Sequence, residues 1–197
     1  MSARIYAFEG VTPVIDPSAY VHPSAVLIGD VIIGPRCYIG GNAVLRGDFG
    51  RIVMQAESNV QDNCTVHSLP DFDCVMAERS HIGHGAIIHG AYIGVNVLVG
   101  MNAVVLDKAE VGDRAIVGAM SLVKMGGTVP AQVLWTGVPG RVARELSEAD
   151  VAGKSAGTQM YVELAARSLM GLTAATALTE VEPDRARTRW EMPGRGR

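Results

Sequence analysis

Imidazole is the side chain here with the widest chemical scope, and of the five histidines His67, His84 and His89, all within one short stretch, are the candidates for chemistry. A neutral imidazole can hold a metal ion or take a proton from a nucleophile. Arg46, Asp48, Gln61 and Asp62 precede them, groups able to orient an imidazole or to pair with charge. His22 and His81 read as structural or solvated residues. What the first three can do depends on whether the chain brings them together.

The positioning element is a repeat. Aliphatic residues recur six apart at Val21, Leu27, Ile33, Ile39 and Leu45, and the fifth place of each unit is small or slim: Ala25, Val31, Cys37, Ala43. After three extra residues around 48–51 the series resumes at Met54, Val60 and Val66. It breaks over 69–75, restarts at Met76, Ile82 and Ile88, loses one residue, and runs from Ile93 to Val123, giving 17 units. A period of six is neither helical nor a simple strand alternation. Short strands coiled three to a turn satisfy it, with the first and fifth residues of each unit pointing into a narrow prism and rungs about 4.8 Å apart.

Indexing the hexads maps the histidines. His67 and His89 are each second in their units and three units apart, so they share a face one rung apart, with Arg46 a rung earlier in the same column. His84 is third in its unit, on the preceding face, above Asp62. One prism cannot turn His84 towards the other two, whereas three prisms around a threefold axis can supply it from a neighbour. Three imidazoles leave one open position on a tetrahedral zinc, with iron or cobalt as alternatives. The expectation is a homotrimer with a metal ion at each interface.

Composition sets outer bounds. Lys and Arg number 17 against 20 Asp and Glu, with no basic stripe in the first two-thirds of the chain, so nothing draws it towards nucleic acid or an anionic membrane. No leader pattern or membrane-length apolar run is present, and three cysteines at unrelated spacings fit a reducing compartment, so the expected location is cytoplasmic. Cys64 reads as an inward core residue, and Cys74 as a loop residue near the histidines. Beyond Pro139, Ser147 with Glu148 and Asp150 marks a helix start, and 151–172 reads as one or two helices, blurred by Gly153 and Gly157. The expected layout is a coil over 1–145, a helical segment over 146–178 packed on the coil, and a flexible tail over 179–197.

Arg46-Gly47-Asp48, Gln61-Asp62-Asn63, the His67 strand and the segment from Ile82 to Gly90 resemble the signature of the gamma-class carbonic anhydrase-like hexapeptide-repeat family. The segments 45–53, 99–105, 144–151 and 157–161 are similar to its phenylacetic acid degradation subgroup, and more loosely to the carnitine operon proteins. This resemblance implies an all-β, left-handed parallel β-helix with a C-terminal α-helix. It also implies a homotrimer with His67, His84 and His89 as metal ligands, Gln61 as a catalytic partner of metal-activated water, and Arg46 and Asp62 as an ion pair across the subunit boundary. Asp48 would brace the Arg46 guanidinium in bidentate fashion.

Two departures shape the functional expectation. Phe49 stands where that family carries a glutamate for proton transfer, and the loop after His67 holds Leu69 and Phe72 in place of an acidic run. Those three residues would line a cleft for an organic substrate. The expected activity is therefore metal-dependent hydrolysis of acyl-CoA thioesters in phenylacetate catabolism, ahead of carbon dioxide hydration or a non-catalytic metal-assembled binding protein. Acyl transfer ranks last, because it needs a histidine base and three histidines are given to metal.

Overall fold

In the computed structural model, which describes residues 3–190, the hexads form a parallel coil of about seven turns. Most rungs are only two or three residues long, such as Tyr38–Ile39, Ile87–His89 and Val104–Val105. They stack in three columns. One runs through Tyr38, Asn59, His81, Leu98, Ile116 and Leu134, and a second through Val44, Thr65, Ile87, Val104 and Leu122. The third runs through Val53, Val75, Tyr92, Glu110 and Thr128.

The inward positions are those that the period of six picks out. Leu27, Ile39, Leu45, Val60, Val66, Ile82, Ile88, Val99, Val105, Val117 and Val123 are fully buried, as are the fifth-place residues Ala25, Cys37, Ala43, Cys64, Ala86, Ala103 and Ala115. Val21 is only partly buried, and the ladder continues past the indexed series to Val129. Each buried branched side chain contributes about 1.5–3 kcal/mol, which makes this single narrow column the main source of stability.

The corners close through backbone geometry. The fourth residue of unit after unit has a positive φ, from Asn63 (61°) and Asn102 (56°) to Arg79 (59°), Lys108 (56°) and Met120 (57°). This turn lets that residue's N–H join the ladder: Asn63 donates to the Gly41 carbonyl at 2.9 Å and Met120 to the Met101 carbonyl at 2.9 Å. A left-handed non-glycine residue costs roughly 1–2 kcal/mol, and the rung-to-rung hydrogen bonds and stacked core offset it.

A hairpin of Val133–Gly137 and Gly140–Glu145 ends the coil, antiparallel where the rungs of the coil pair in parallel. Ser147 then caps a single helix, α1 (Glu148–Gly171), in a reciprocal capping box with Asp150. Gly153 and Gly157 do not break it. Val151, Thr158 and Ala165, seven apart, are its buried residues. It lies against the first column, where the Tyr161 ring meets Tyr38 (5.3 Å) and His81 (5.1 Å), and the Lys154 ammonium donates to Arg79 O and Asn96 Oδ1, both at 2.8 Å. Residues 172–190 follow without helix or strand, although the Arg167 guanidinium sits 4.2 Å over the Trp190 ring. The rest of the expected tail, 191–197, lies outside the described residues. Among those described, no helix is long and apolar enough to cross a membrane.

Candidate functional site

The breaks in the repeat are what build the site. Where residues 48–51 are inserted, the long strand Val44–Met54 shifts register against Val26–Ile33, pairing Gly29 with Gly47 and Val31 with Ile52. The second insertion packs on the first: a Cβ at Gly50 would lie only 2.0 Å from the Leu69 carbonyl, so glycine is required there. The Leu69 side chain in turn lies over Gly90, where the repeat loses its residue; a Cβ at Gly90 would meet Leu69 Cγ at 2.9 Å. Three irregularities distant in sequence therefore meet beside His67.

His67 and His89 pair across adjacent rungs, with Arg46 one rung below, as the indexing predicts. His67 is nearly buried. Its Nε2 lies 3.0 Å from Asp48 Oδ1 and its Nδ1 lies 3.0 Å from Nε2 of His89. On the far side, His89 Nδ1 is hydrogen-bonded to Asp107 Oδ1. Each carboxylate can only accept, so the protons sit on His67 Nε2 and His89 Nδ1. The two remaining nitrogens, His67 Nδ1 and His89 Nε2, then present bare lone pairs to each other. That gap calls for a proton or a cation.

Asp48 is shared. Oδ2 accepts one hydrogen bond from Arg46 Nη1 at 2.7 Å while Oδ1 takes His67, so the expected bidentate clasp of Arg46 is corrected to a single bond. Partial desolvation works to raise the Asp48 carboxyl, but the bonds from Arg46 and His67 outweigh it and hold it below its ordinary value. Phe49 is exposed, its ring 5.2 Å from that of His67 and under the Arg46 guanidinium at 5.9 Å. Phe72 enters this corner through its carbonyl, which accepts from the Ser68 hydroxyl at 2.5 Å. Asp107 went unnoticed in the sequence; its place in the unit beginning at Val105, one rung beyond His89, was the available signal.

The structure does not bring His84 or Gln61 to this pair. His84 Nδ1 lies 2.9 Å from Asp62 Oδ2, and Asp62 Oδ1 accepts from the Gly41 N–H at 2.8 Å. Within the chain Asp62 thus engages His84, and Arg46 engages Asp48. Gln61 is buried: its Nε2 donates to Asn59 Oδ1 (3.1 Å) and to His81 Nε2 (2.5 Å), and its Oε1 accepts from the His84 N–H at 3.2 Å. His81 is more than a surface residue. Burial, then the charges of Lys154 and His84, push its imidazole down to about 3 and keep it neutral.

Cys64 is the core residue expected, and Cys74 is one as well, not a loop thiol; burial raises both to about 11. Among the described residues no group of three or more His, Cys, Asp or Glu side chains within one chain is arranged to hold a metal ion.

A narrow parallel coil of hexads closed by one helix, with its chemistry on an outer face, defines a hexapeptide-repeat protein of the left-handed β-helix class. The bacterial transferase hexapeptide pattern of six repeats matches residues 12–47. Carnitine operon protein CaiE of a Proteus species is 49% identical over 185 residues, covering 94% of both chains, and that of Salmonella newport is 49% identical over 182 residues, covering 92% of both. The chain belongs to the hexapeptide-repeat family that includes these carnitine operon proteins.

Two solved structures share the architecture at appreciable identity. A Bacillus cereus protein provisionally assigned as an acetyltransferase is 34% identical with a TM-score of 0.83, covering 86% of this chain and 100% of its own. A hexapeptide transferase family protein from Anaplasma phagocytophilum is 33% identical with a TM-score of 0.80, covering 84% and 98%. These relatives overturn the expected function. They carry transferase and carnitine operon descriptions, against metal-dependent thioester hydrolysis in phenylacetate catabolism and its carbonic anhydrase and non-catalytic alternatives. The low place given to acyl transfer rested on assigning all three histidines to a metal, and the transferase descriptions of these relatives weigh against that order.

Proposed function

We propose that this protein is an acyltransferase that moves an acyl group from coenzyme A to a hydroxyl or amine acceptor. The observation that carries the reading is the His67–His89 pair, whose facing lone pairs are fixed by Asp48 and Asp107. Either bare nitrogen can accept the acceptor's proton as its oxygen or nitrogen attacks the thioester carbonyl. A C–O or C–N bond forms, the C–S bond breaks, and the departing thiolate takes a proton. Phe49 and Leu69 would give the cleft an apolar rim that keeps water from competing. The transferase relatives at 34% and 33% identity support the same reaction class.

Assembly belongs to this reading. His84 lies in a different column from the pair, so a homotrimer would complete the site from a neighbouring subunit. A divalent ion in the same gap would occupy both lone pairs, so the metal-bound state would replace the base role of the pair and not add to it. Metal-bound histidines characteristically donate their second nitrogen to a carboxylate, as His67 and His89 do here. His67 and His89, with His84 from the neighbour, would hold zinc first and iron or cobalt otherwise, and when bound the ion would polarise the thioester carbonyl.

The test is release of free CoA from acyl-CoA thioesters, with and without a panel of amine and hydroxyl acceptors, on protein whose metal content has been measured. Acceptor-dependent release that drops by about 100-fold or more in His67→Ala and His89→Ala is expected. Release independent of acceptor, or unaffected by both substitutions, would sink acyl transfer at this pair. Metal retained in full by both variants would remove the metal while leaving the base role.

A further inference from the structure

Away from the His67–His89 pair, the first column leaves an uncovered slot between the coil and α1. Successive rungs present glycine at corresponding places, Gly83, Gly100 and Gly118, and glycine is imposed there. An added Cβ would lie 2.9 Å from Val99 O at Gly83 and 2.5 Å from Ala119 N at Gly100. No side chain fills the strip, and a cavity of about 390 Å³ remains, walled by Leu98, Met101, Ile116 and Tyr161 and ending at His81 and His84. That volume lies within the range of small-molecule sites, roughly 300–1,000 Å³.

Chemistry narrows the occupant. The lining holds no lysine, arginine, aspartate or glutamate, so it offers a phosphate, a carboxylate or a nucleotide no fixed cation to pair with. Its polar groups are mostly engaged already, since the Gln61 amide is spent on Asn59, His81 and the His84 N–H, and the His81 Nε2 on Gln61. Two polar atoms in the lining are left over: His81 Nδ1, buried without a partner, and the second nitrogen of the half-exposed His84 imidazole, whose Nδ1 is held by Asp62. An apolar chain with a polar group at one end fits such a slot, and a short acetyl group leaves it empty.

We infer that this cavity is the pocket for the acyl group, and that the donor carries an acyl chain of several carbons in preference to acetyl. The inference rests on the acyl-transfer reading above, in which His84 faces a neighbour's His67–His89 pair. A chain seated along Leu98 and Ile116 would then leave its thioester carbonyl beside His84, at the reacting nitrogens.

Calorimetric titration of the full-length protein with acetyl-CoA and hexanoyl-CoA, without acceptor, tests it. Four further methylenes, each worth at most roughly fourfold when fully buried, set a ceiling of about 250-fold, and hexanoyl-CoA should bind at least about tenfold tighter. Ile116→Trp should fill the slot and reduce that preference below about threefold. If Ile116→Trp does not fold by circular dichroism, Ala119→Trp at the exposed rim gives the same readout. Equal affinities in the unsubstituted protein, including no measurable binding of either, overturn the pocket, as does a preference that survives both substitutions. Acceptor-dependent release of CoA, followed in parallel, separates the two ideas. Hexanoyl preference without transfer overturns the function and keeps the pocket, whereas transfer without preference does the reverse.

Discussion

At the scale of single residues, each imidazole is defined by what holds its other nitrogen. Asp48 and Asp107 turn His67 and His89 towards each other, and Asp62 takes His84. His81 is set differently, by burial beneath Tyr161 and a hydrogen bond from Gln61. Its folded value of about 3 against an ordinary 6.5 has a definite consequence. In the unfolded chain His81 takes up its proton near pH 6.5, while the folded chain resists until about 3. The stability this contributes is complete above pH 6.5 and is lost progressively as pH falls towards 3. Between pH 7 and 4.5, denaturant titrations should show the unsubstituted protein losing about 1–3 kcal/mol more than His81→Phe. Parallel losses in the two proteins would refute the assignment. At pH 7 His81→Phe should itself be less stable by about 1–3 kcal/mol, because the buried Gln61 amide loses an acceptor.

At the scale of elements, α1 forms in spite of two glycines in its first half. Ser147 and Asp150 satisfy its first N–H groups, and contacts of Val151, Thr158 and Ala165 with the coil fix its face. Tertiary contact, not intrinsic propensity, keeps the early turns helical. Gly153 and Gly157 have open space where a Cβ would stand, and both lie in ordinary helical backbone. Gly153→Ala and Gly157→Ala should therefore each stabilise the protein by about 0.5–1 kcal/mol, raising Tm by a few degrees in a thermal melt. A lower Tm in both variants would mean that the helix needs its glycines for a close approach.

At the scale of the whole molecule, the chain's chemistry is divided between two faces of one prism, with the His67–His89 pair on one and His84 with the α1 cavity on the other. A threefold assembly would join them. Light scattering at micromolar concentration should therefore report three times the 20.8 kDa chain mass. Arg46 and Asp62 each keep over two-fifths of the side chain exposed, even with Asp48 and His84 as partners, so both remain open to a neighbour. Arg46→Ala or Asp62→Ala should shift the species distribution towards monomer on dilution while circular dichroism stays unchanged. A monomer in the unsubstituted protein, or an undisturbed trimer in both variants, would count against this arrangement.

The period of six, read from residues 21–123, was enough to specify the coil, the inward ladder and the shared column of Arg46, His67 and His89. Repetition makes that possible, because each rung meets only its neighbours and a local pattern dictates the stacking. The corners were not legible: Arg79, Lys108 and Met120 have no intrinsic taste for a positive φ, and adopt it because the rung beneath needs their N–H. Asp107 could be read from its hexad place beside His89, whereas the burial of Cys74 and His81 could not, since that depends on how loops and helix fold back over the prism. The insertions were visible only as gaps in the count. It took the tertiary structure to join Gly50, Leu69 and Gly90 beside His67, because the repeat governs distances along the coil and has no hold on chain that leaves it.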